Sequence, residues 1–123
     1  MDVFGGVSIN EGKLLSFLGL AKKAGKIVFG KEMIRSYLRE NIRNKVLVIA
    51  SDASNSIKAD WKKRCQSHDA VYIVLKNTSK LDLARAIGLG NISAVGVMDD
   101  RIAAEIIKLV RSGGEENAKN QSL

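Results

Sequence analysis

Apolar residues along this chain follow two alternating patterns, one helical and one extended. Leu14, Phe17, Leu18 and Ala21 recur at i, i+3, i+4 and i+7, which stripes a single helical face. Ser8-Ile9-Asn10-Glu11 ahead of them has the spacing of a capping box, and Gly25 supplies a left-handed stop. Ile27-Val28-Phe29 is a short β-rich run, and Gly30 is the hinge into a second helix. That helix is expected to bury Met33, Ile34, Tyr37 and Leu38, with Lys31, Arg35 and Arg39 along one outer flank.

The runs Lys45 to Ala50 and Ala70 to Leu75 do not alternate, which is how strands covered on both faces read. Between them Ser51-Asp52-Ala53-Ser54-Asn55 is loop and cap chemistry ahead of a helix that carries Ile57, Trp61, Cys65 and His68 along its apolar side. Ser79 to Asp82 repeats the capping spacing. Leu83, Ala84 and Ile87 then mark an apolar edge that Gly88-Leu89-Gly90 ends. Ser93 to Met98 is a last strand. Asp99 or Asp100 caps a final helix with Ile102, Ile106, Leu109 and Val110 inward and Gly113 as its stop. Helix and strand alternate throughout, so the fold class is α/β, a three-layer α/β/α sandwich with crossover connections.

A chain of 123 residues makes one domain with a core of its own, here residues 10–112. Residues 1–9 read as an N-terminal extension. Residues 113–123, rich in Gly, Glu, Asn and Ser without periodicity, read as a disordered tail. The single Cys65 cannot close an internal disulfide. No apolar run approaches the roughly 18 residues of a spanning helix, and Met1 to Gly6 lacks the basic start and apolar core of a signal peptide. A cytoplasmic protein with no membrane partner is expected.

Charge changes the picture more than composition does. Between Gly12 and Ile49 stand nine cations: Lys13, Lys22, Lys23, Lys26, Lys31, Arg35, Arg39, Arg43 and Lys45. They face only Glu32 and Glu40, so this stretch carries the whole formal charge of +7 while the rest of the chain cancels. A one-sided positive field attracts a polyanion, because each cation that meets a phosphate releases condensed counterions. Lys22, Lys23 and Lys26 lie close in sequence to the Lys31 flank, so several charges are expected to converge there. Gly30 lets a backbone approach closely, and the helix after it presents free N–H groups to an anion. Aromatic residues are only 5% of the chain, too few for a stacking platform, so recognition through shape and backbone is expected.

Other chemistry has less support. Gly25-Lys26-Ile27-Val28-Phe29-Gly30-Lys31 fits G-x-x-x-x-G-K, which keeps open a nucleotide-binding switch. A P-loop would need Ser or Thr where Glu32 stands, would follow a strand rather than a helix, and would not contain Ile-Val-Phe. Cys65 and His68 have the spacing of a metal pair, but the chain has no other Cys or His, so packing is expected and no metal or cofactor. With one histidine and no G-x-S-x-G, no catalytic residues are assigned.

Several segments resemble a known family: Ser16-Phe17-Leu18-Gly19-Leu20-Ala21-Lys22-Lys23-Ala24-Gly25-Lys26, Gly30, the strand end Ile49-Ala50-Ser51-Asp52, and Ser79-Lys80 through Ala86-Ile87-Gly88. They resemble the kink-turn-binding large-subunit ribosomal proteins (L-seven-Ae), in particular their small bacterial branch, over roughly residues 10–110. The resemblance implies a four-stranded mixed sheet between helices, and binding of RNA kinked by tandem sheared G·A pairs. It implicates Gly30, Lys31, Glu32 and Arg35 on the helix, Ser51 and Asp52 after the strand, and Thr78, Ser79 and Lys80 in the later loop. Where ribosomal members carry Asn, then Glu, then Lys to read guanine edges, this chain has Glu32, Met33 and Ser36. Ala84 stands where a glycine is expected. With Lys26 added from the charge pattern, the expectation is a non-catalytic, monomeric binder of structured RNA, ribosomal RNA included. A protein-interaction module of ribosome assembly, steered by its basic face, is the further alternative.

Overall fold

The computed structural model describes residues 3–5 and 9–122, with side chains from 9 to 112. The elements run β1 (Val3–Gly5), α1 (Glu11–Lys23), β2 (Ile27–Phe29), α2 (Lys31–Arg39), β3 (Val46–Ile49), α3 (Asn55–Ser67), β4 (Val71–Val74), α4 (Lys80–Ile87), β5 (Ala94–Val97) and α5 (Asp100–Ser122). The strands form one mixed sheet in the order β1-β4-β3-β5-β2. β3 and β4 are parallel, with Val46 opposite Val71, and α3 is the crossover between them. β5 runs antiparallel to both β3 and β2. The four expected strands are thus joined by a fifth, Val3–Gly5, which pairs parallel with β4 inside the segment read as an extension.

The continuous apolar runs of β3 and β4 bury side chains on both faces, and this divides the core in two. Val46, Val48, Ile73 and Val95 point toward α1, α4 and α5, where Leu14, Leu18, Leu83 and Ile106 meet them. Leu47, Ile49, Tyr72 and Ala94 point the other way, toward Ile34, Tyr37 and Leu38 of α2 and Trp61 and Cys65 of α3. Two helices cover one face and three the other, the expected sandwich.

One side chain joins the layers. The Tyr37 hydroxyl accepts from Val46 N–H at 2.8 Å and donates to the Val97 carbonyl at 2.9 Å, so α2 is fastened to both β3 and β5. Its ring crosses β5 at Gly96, where a Cβ would stand 2.9 Å from Tyr37 Cε2. Only glycine lets the ring pass this close to the strand. Burial pushes the Tyr37 phenol up to about 12 and the Cys65 thiol up to about 12.

Several local expectations need correction. Met33 and Ile57, read as inward, are 52% and 38% exposed, because α2 and α3 turn only Ile34, Tyr37, Leu38, Trp61 and Cys65 to the sheet. Asn10 rather than Ser8 caps α1: its side chain accepts from Lys13 N–H at 3.0 Å, and Ser8 lies outside the described residues. Ser54, Ser79 and Asp99 do cap α3, α4 and α5. The backbone of α5 continues past Gly113, the expected stop, to Ser122. The side chains of the tail read as disordered, 113–123, lie outside the described residues.

Candidate nucleic-acid interface

Strand β2 ends at Phe29, and the chain must turn at once into α2. Gly30 makes that turn with φ 83° and ψ 146°, a conformation that only glycine adopts without strain. As the N-cap it has no side chain to accept from the first turn, so the leading N–H groups of α2 have no side-chain cap. A Cβ at Gly30 would meet no protein atom within 4 Å, so the space in front of the turn is open. Unfilled donors and the positive end of the helix dipole make this an anion-facing surface. Lys31 and Glu32 are exposed beside it. Met33 arches back so that its Sδ accepts from Phe29 N–H at 3.5 Å.

The second part is a knot of loops. Ser51 N–H donates to the Thr78 carbonyl at 2.8 Å, and Asp52 Oδ1 accepts from Lys80 N–H at 2.8 Å. Lys58 Nζ donates to the Ser51 carbonyl at 2.8 Å. Glu11, from the first turn of α1, completes the knot. Its carboxylate accepts from Lys76 N–H at 2.7 Å, from Asn77 N–H at 3.1 Å and from the Thr78 hydroxyl at 2.6 Å. Sequence reading gave Glu11 a capping role within its own helix. It instead anchors a loop 65 residues away, an arrangement that no local spacing encodes.

The structure brings these parts together along one trough. A cavity of about 540 Å³ opens beside Gly30 and Lys31, walled by Phe29, Ile57, Trp61 and Asn91. A second, of about 490 Å³, opens beside Asp52 and Lys80, walled by Leu81, Arg85 and Asn91. Gly90 and Asn91 line both, so the α4–β5 connection is a ridge shared by the two. Phe29, Met33, Ile57 and Leu81 are all large apolar residues left exposed on these two elements of the surface or beside them.

The implicated residues therefore divide. Gly30, Lys31, Asp52 and Lys80 line the trough. Thr78 is only 4% exposed, with its hydroxyl committed to Glu11, and Ser79 Oγ accepts from Asp82 N–H as the α4 cap, so both shape the loop from within. Ser51 shapes it too, through its backbone. Arg35 sits a turn beyond Gly30, half-buried, with its Nε buried and without a partner.

Lys26 is not brought to the trough. It stands at the far end of β2 from Gly30, and four residues of extended chain separate them by about 13 Å. Lys22 and Lys23 end α1, which packs on the opposite face of the sheet from α2. Nearness in sequence did not become convergence, because an extended strand lies between. The ridge residues Gly90 and Asn91 were missed. The sequence signal was the pair of glycines, read only as a helix stop.

The P-loop-like segment has no cradle. Ile27–Phe29 is paired in the sheet with Val95–Val97, Gly25 N–H donates to Lys22 O, and Lys26 N–H donates to Ala21 O. The amides of Gly25, Lys26 and Phe29 thus meet protein acceptors rather than a phosphate. Cys65 is buried in the α2–α3 core and His68 closes α3. Among the described residues no three His, Cys, Asp or Glu side chains lie placed to share a metal ion. Nor is any described helix long and apolar enough to cross a membrane.

Known proteins resemble this chain in sequence and in fold. The chain is 31% identical over 93 residues to an RNA-binding protein, YlxQ, of Bacillus subtilis (strain 168), covering 76% of this chain and 90% of that one. It is 28% identical over 105 residues to the YlxQ of Enterococcus faecium, covering 83% and 98%. A solved protein of unknown function from Bacillus halodurans superposes with a TM-score of 0.71 at 27% identity, over 80% of this chain and 97% of that one. A 15.5 kD RNA-binding protein of Giardia lamblia has the same fold, with a TM-score of 0.69 at 18% identity over 89% and 92%. The sequence profile of one family spans residues 12–108, nearly the whole described domain. The chain belongs to the ribosomal protein L7Ae/L30e/S12e/Gadd45 family.

Proposed function

We propose that this chain is a non-catalytic RNA-binding protein that recognises structured, kink-turn-like RNA, of the ribosome or of its assembly, through the Gly30–Lys80 trough. The observation that carries the reading is the N-terminus of α2, with no side-chain cap and open space before it. A phosphate placed there accepts from the free amides, and Lys31 adds charge. The apolar wall of Phe29, Ile57 and Trp61 suits a base turned out of its stack, which a kinked duplex provides and a regular one does not. Glu32 offers an acceptor to guanine N–H donors at the position where ribosomal members carry Asn. The relatives from Bacillus subtilis and Enterococcus faecium, both RNA-binding proteins by name, support RNA as the partner.

The test is Gly30→Val, titrated against a kink-turn RNA and a plain duplex, with denaturation midpoints measured alongside. Backbone strain at φ 83° costs on the order of 1–3 kcal/mol, which a domain of ~5–15 kcal/mol survives. The branched side chain projects into the open space that the RNA backbone would occupy, so affinity for the kink-turn RNA falls by tenfold or more while the protein stays folded. Full affinity in a folded Gly30→Val protein would refute the assignment of this surface.

A further inference from the structure

Away from the trough, between α2 and α3, lies a notch of about 150 Å³ lined by Arg35, Leu38, Arg39, Arg64 and His68. It is smaller than the roughly 300 Å³ at which pockets begin to hold drug-sized ligands, so its scale is that of an ion or a single substituent. Three arginine side chains line it from two helices. Arg64 Nε donates to Asp60 Oδ2 at 3.1 Å, one turn back on α3. Arg35 and Arg39 have no carboxylate partner among the described residues. Arg35 Nε is also buried without any hydrogen-bond partner, a state that folded proteins seldom leave unfilled. Leu38 forms an apolar floor that keeps the guanidinium groups from fuller hydration.

We infer that this notch is a second phosphate site. Arginine forks match the tetrahedral oxygens of a phosphate, and a group seated here would be faced by the side chains of Arg35, Arg39 and Arg64. Its place in the fold suggests the source. Arg35 and Arg39 lie about 7.5 and 13.5 Å along α2 from Gly30, so a strand leaving the trough along this flank reaches the notch within a few nucleotides. The RNA source rests on the reading of the trough given above; the phosphate chemistry does not. A free phosphorylated ligand would use the same groups.

Two measurements separate these sources. In the first, inorganic phosphate is titrated into the wild-type protein and the arginine Nε–Hε resonances are followed by NMR, with chloride at matched ionic strength as reference. The expected result is a saturable shift at Arg35 and Arg64. In the second, Arg39→Gln and Arg64→Gln are titrated with a kink-turn RNA bearing long helical arms over a range of salt. Each is expected to lower the salt slope by roughly 0.7 to 1, as loss of one phosphate contact does. Arg101→Gln, at an exposed arginine on α5, serves as control. Arg64 lies on α3, outside the α2 terminus, so its slope change would not come from the Gly30 contact.

Slope loss, with or without the phosphate shift, supports an RNA strand in the notch. A phosphate shift with unchanged slopes, or in a protein that binds no RNA, supports a phosphate site filled by a small ligand. Absence of both overturns the proposal, and so does an equal slope loss in Arg101→Gln.

Discussion

Replacing Glu11 by alanine removes a carboxylate that accepts from the loop at 76–78 rather than from its own helix. Three donors converge on it, and the shortest contacts, 2.6 Å from Thr78 Oγ1 and 2.7 Å from Lys76 N, have charge-assisted length. Hydrogen bonds to a charged group contribute about 1.5–3 kcal/mol each in favourable cases. The Lys76 and Asn77 amides are at the surface, and water would recover much of their share. Thr78 is buried, so its hydroxyl would be left without an acceptor at about 1–3 kcal/mol. A favourable dipole contact at the start of α1 adds a few tenths of a kcal/mol. The sum expected for Glu11→Ala is about 3 kcal/mol, or roughly 12 °C in melting midpoint for a domain of this size. Glu11→Gln, which keeps one acceptor oxygen, should lose about half of that. The assay is chemical denaturation paired with amide exchange at Lys76 and Asn77. Glu40→Ala is the surface control, expected within about 0.5 kcal/mol of wild type. If Glu11→Ala leaves the midpoint within that margin and the two amides exchange no faster, the loop is held by something else.

Three further outcomes follow from the core. Tyr37→Phe strands the buried Val46 N–H and should cost about 1–3 kcal/mol by denaturation midpoint, although the ring and its packing are kept. Gly96→Ala forces a Cβ to within 2.9 Å of that ring and should cost a similar ~1–3 kcal/mol. Combined with Tyr37→Phe it should cost less than the sum, since a ring released from Val46 and Val97 can retreat; strict additivity would mean the two do not meet. Stability should also fall at alkaline pH. In the unfolded chain the Cys65 thiol loses its proton near 9.0 and the Tyr37 phenol near 10.0, while in the fold both hold it to about 12. The unfolded state sheds protons first, so this contribution is complete below pH 9 and fades toward 12. Cys65→Ala should flatten the onset of that decline when midpoints at neutral pH and at about pH 10.5 are compared, and an unchanged decline would rule out the thiol as its source.

The layers of this fold were legible because they follow from periodicity. Short, Val- and Ile-rich, non-alternating runs at 46–49 and 71–74 read as strands covered twice, and that placed helices on both faces. The helix termini were legible where a side chain acts on its own turn, as Ser54, Ser79 and Asp99 do. Met33 and Ile57 were misread because apolar spacing reports a stripe and not its edges: Ile57 lines the candidate surface, and Met33 contacts Phe29 beside it. The N-terminal strand was missed because three residues carry no period and gain their hydrogen bonds only from a preformed β4.

The candidate site follows the same division. Gly30 stood out because its conformation is a local demand, and the positive φ confirms what the junction between Phe29 and Lys31 requires. The rest depends on distant pairings: Glu11 with Thr78, Asp52 with Lys80, Gly90 with both cavities. These connections also explain why charge density was only a partial guide. The basic stretch from Lys13 to Lys45 passes through α1, β2 and α2, and thus crosses from one face of the sheet to the other. Its cations are divided among surfaces, so the field that draws a polyanion toward the protein is broad. In the proposed interface, what would fix a polyanion in place is narrower: the amides at Gly30, beside a loop that Asp52, Lys80 and Glu11 hold together. Substitutions at Lys22 or Lys23 should therefore slow association at low salt with little effect on dissociation, whereas those at Gly30 or Glu11 should speed dissociation. Stopped-flow rates on the same RNA would distinguish them, and faster dissociation in Lys22→Ala would place that lysine in the bound interface after all.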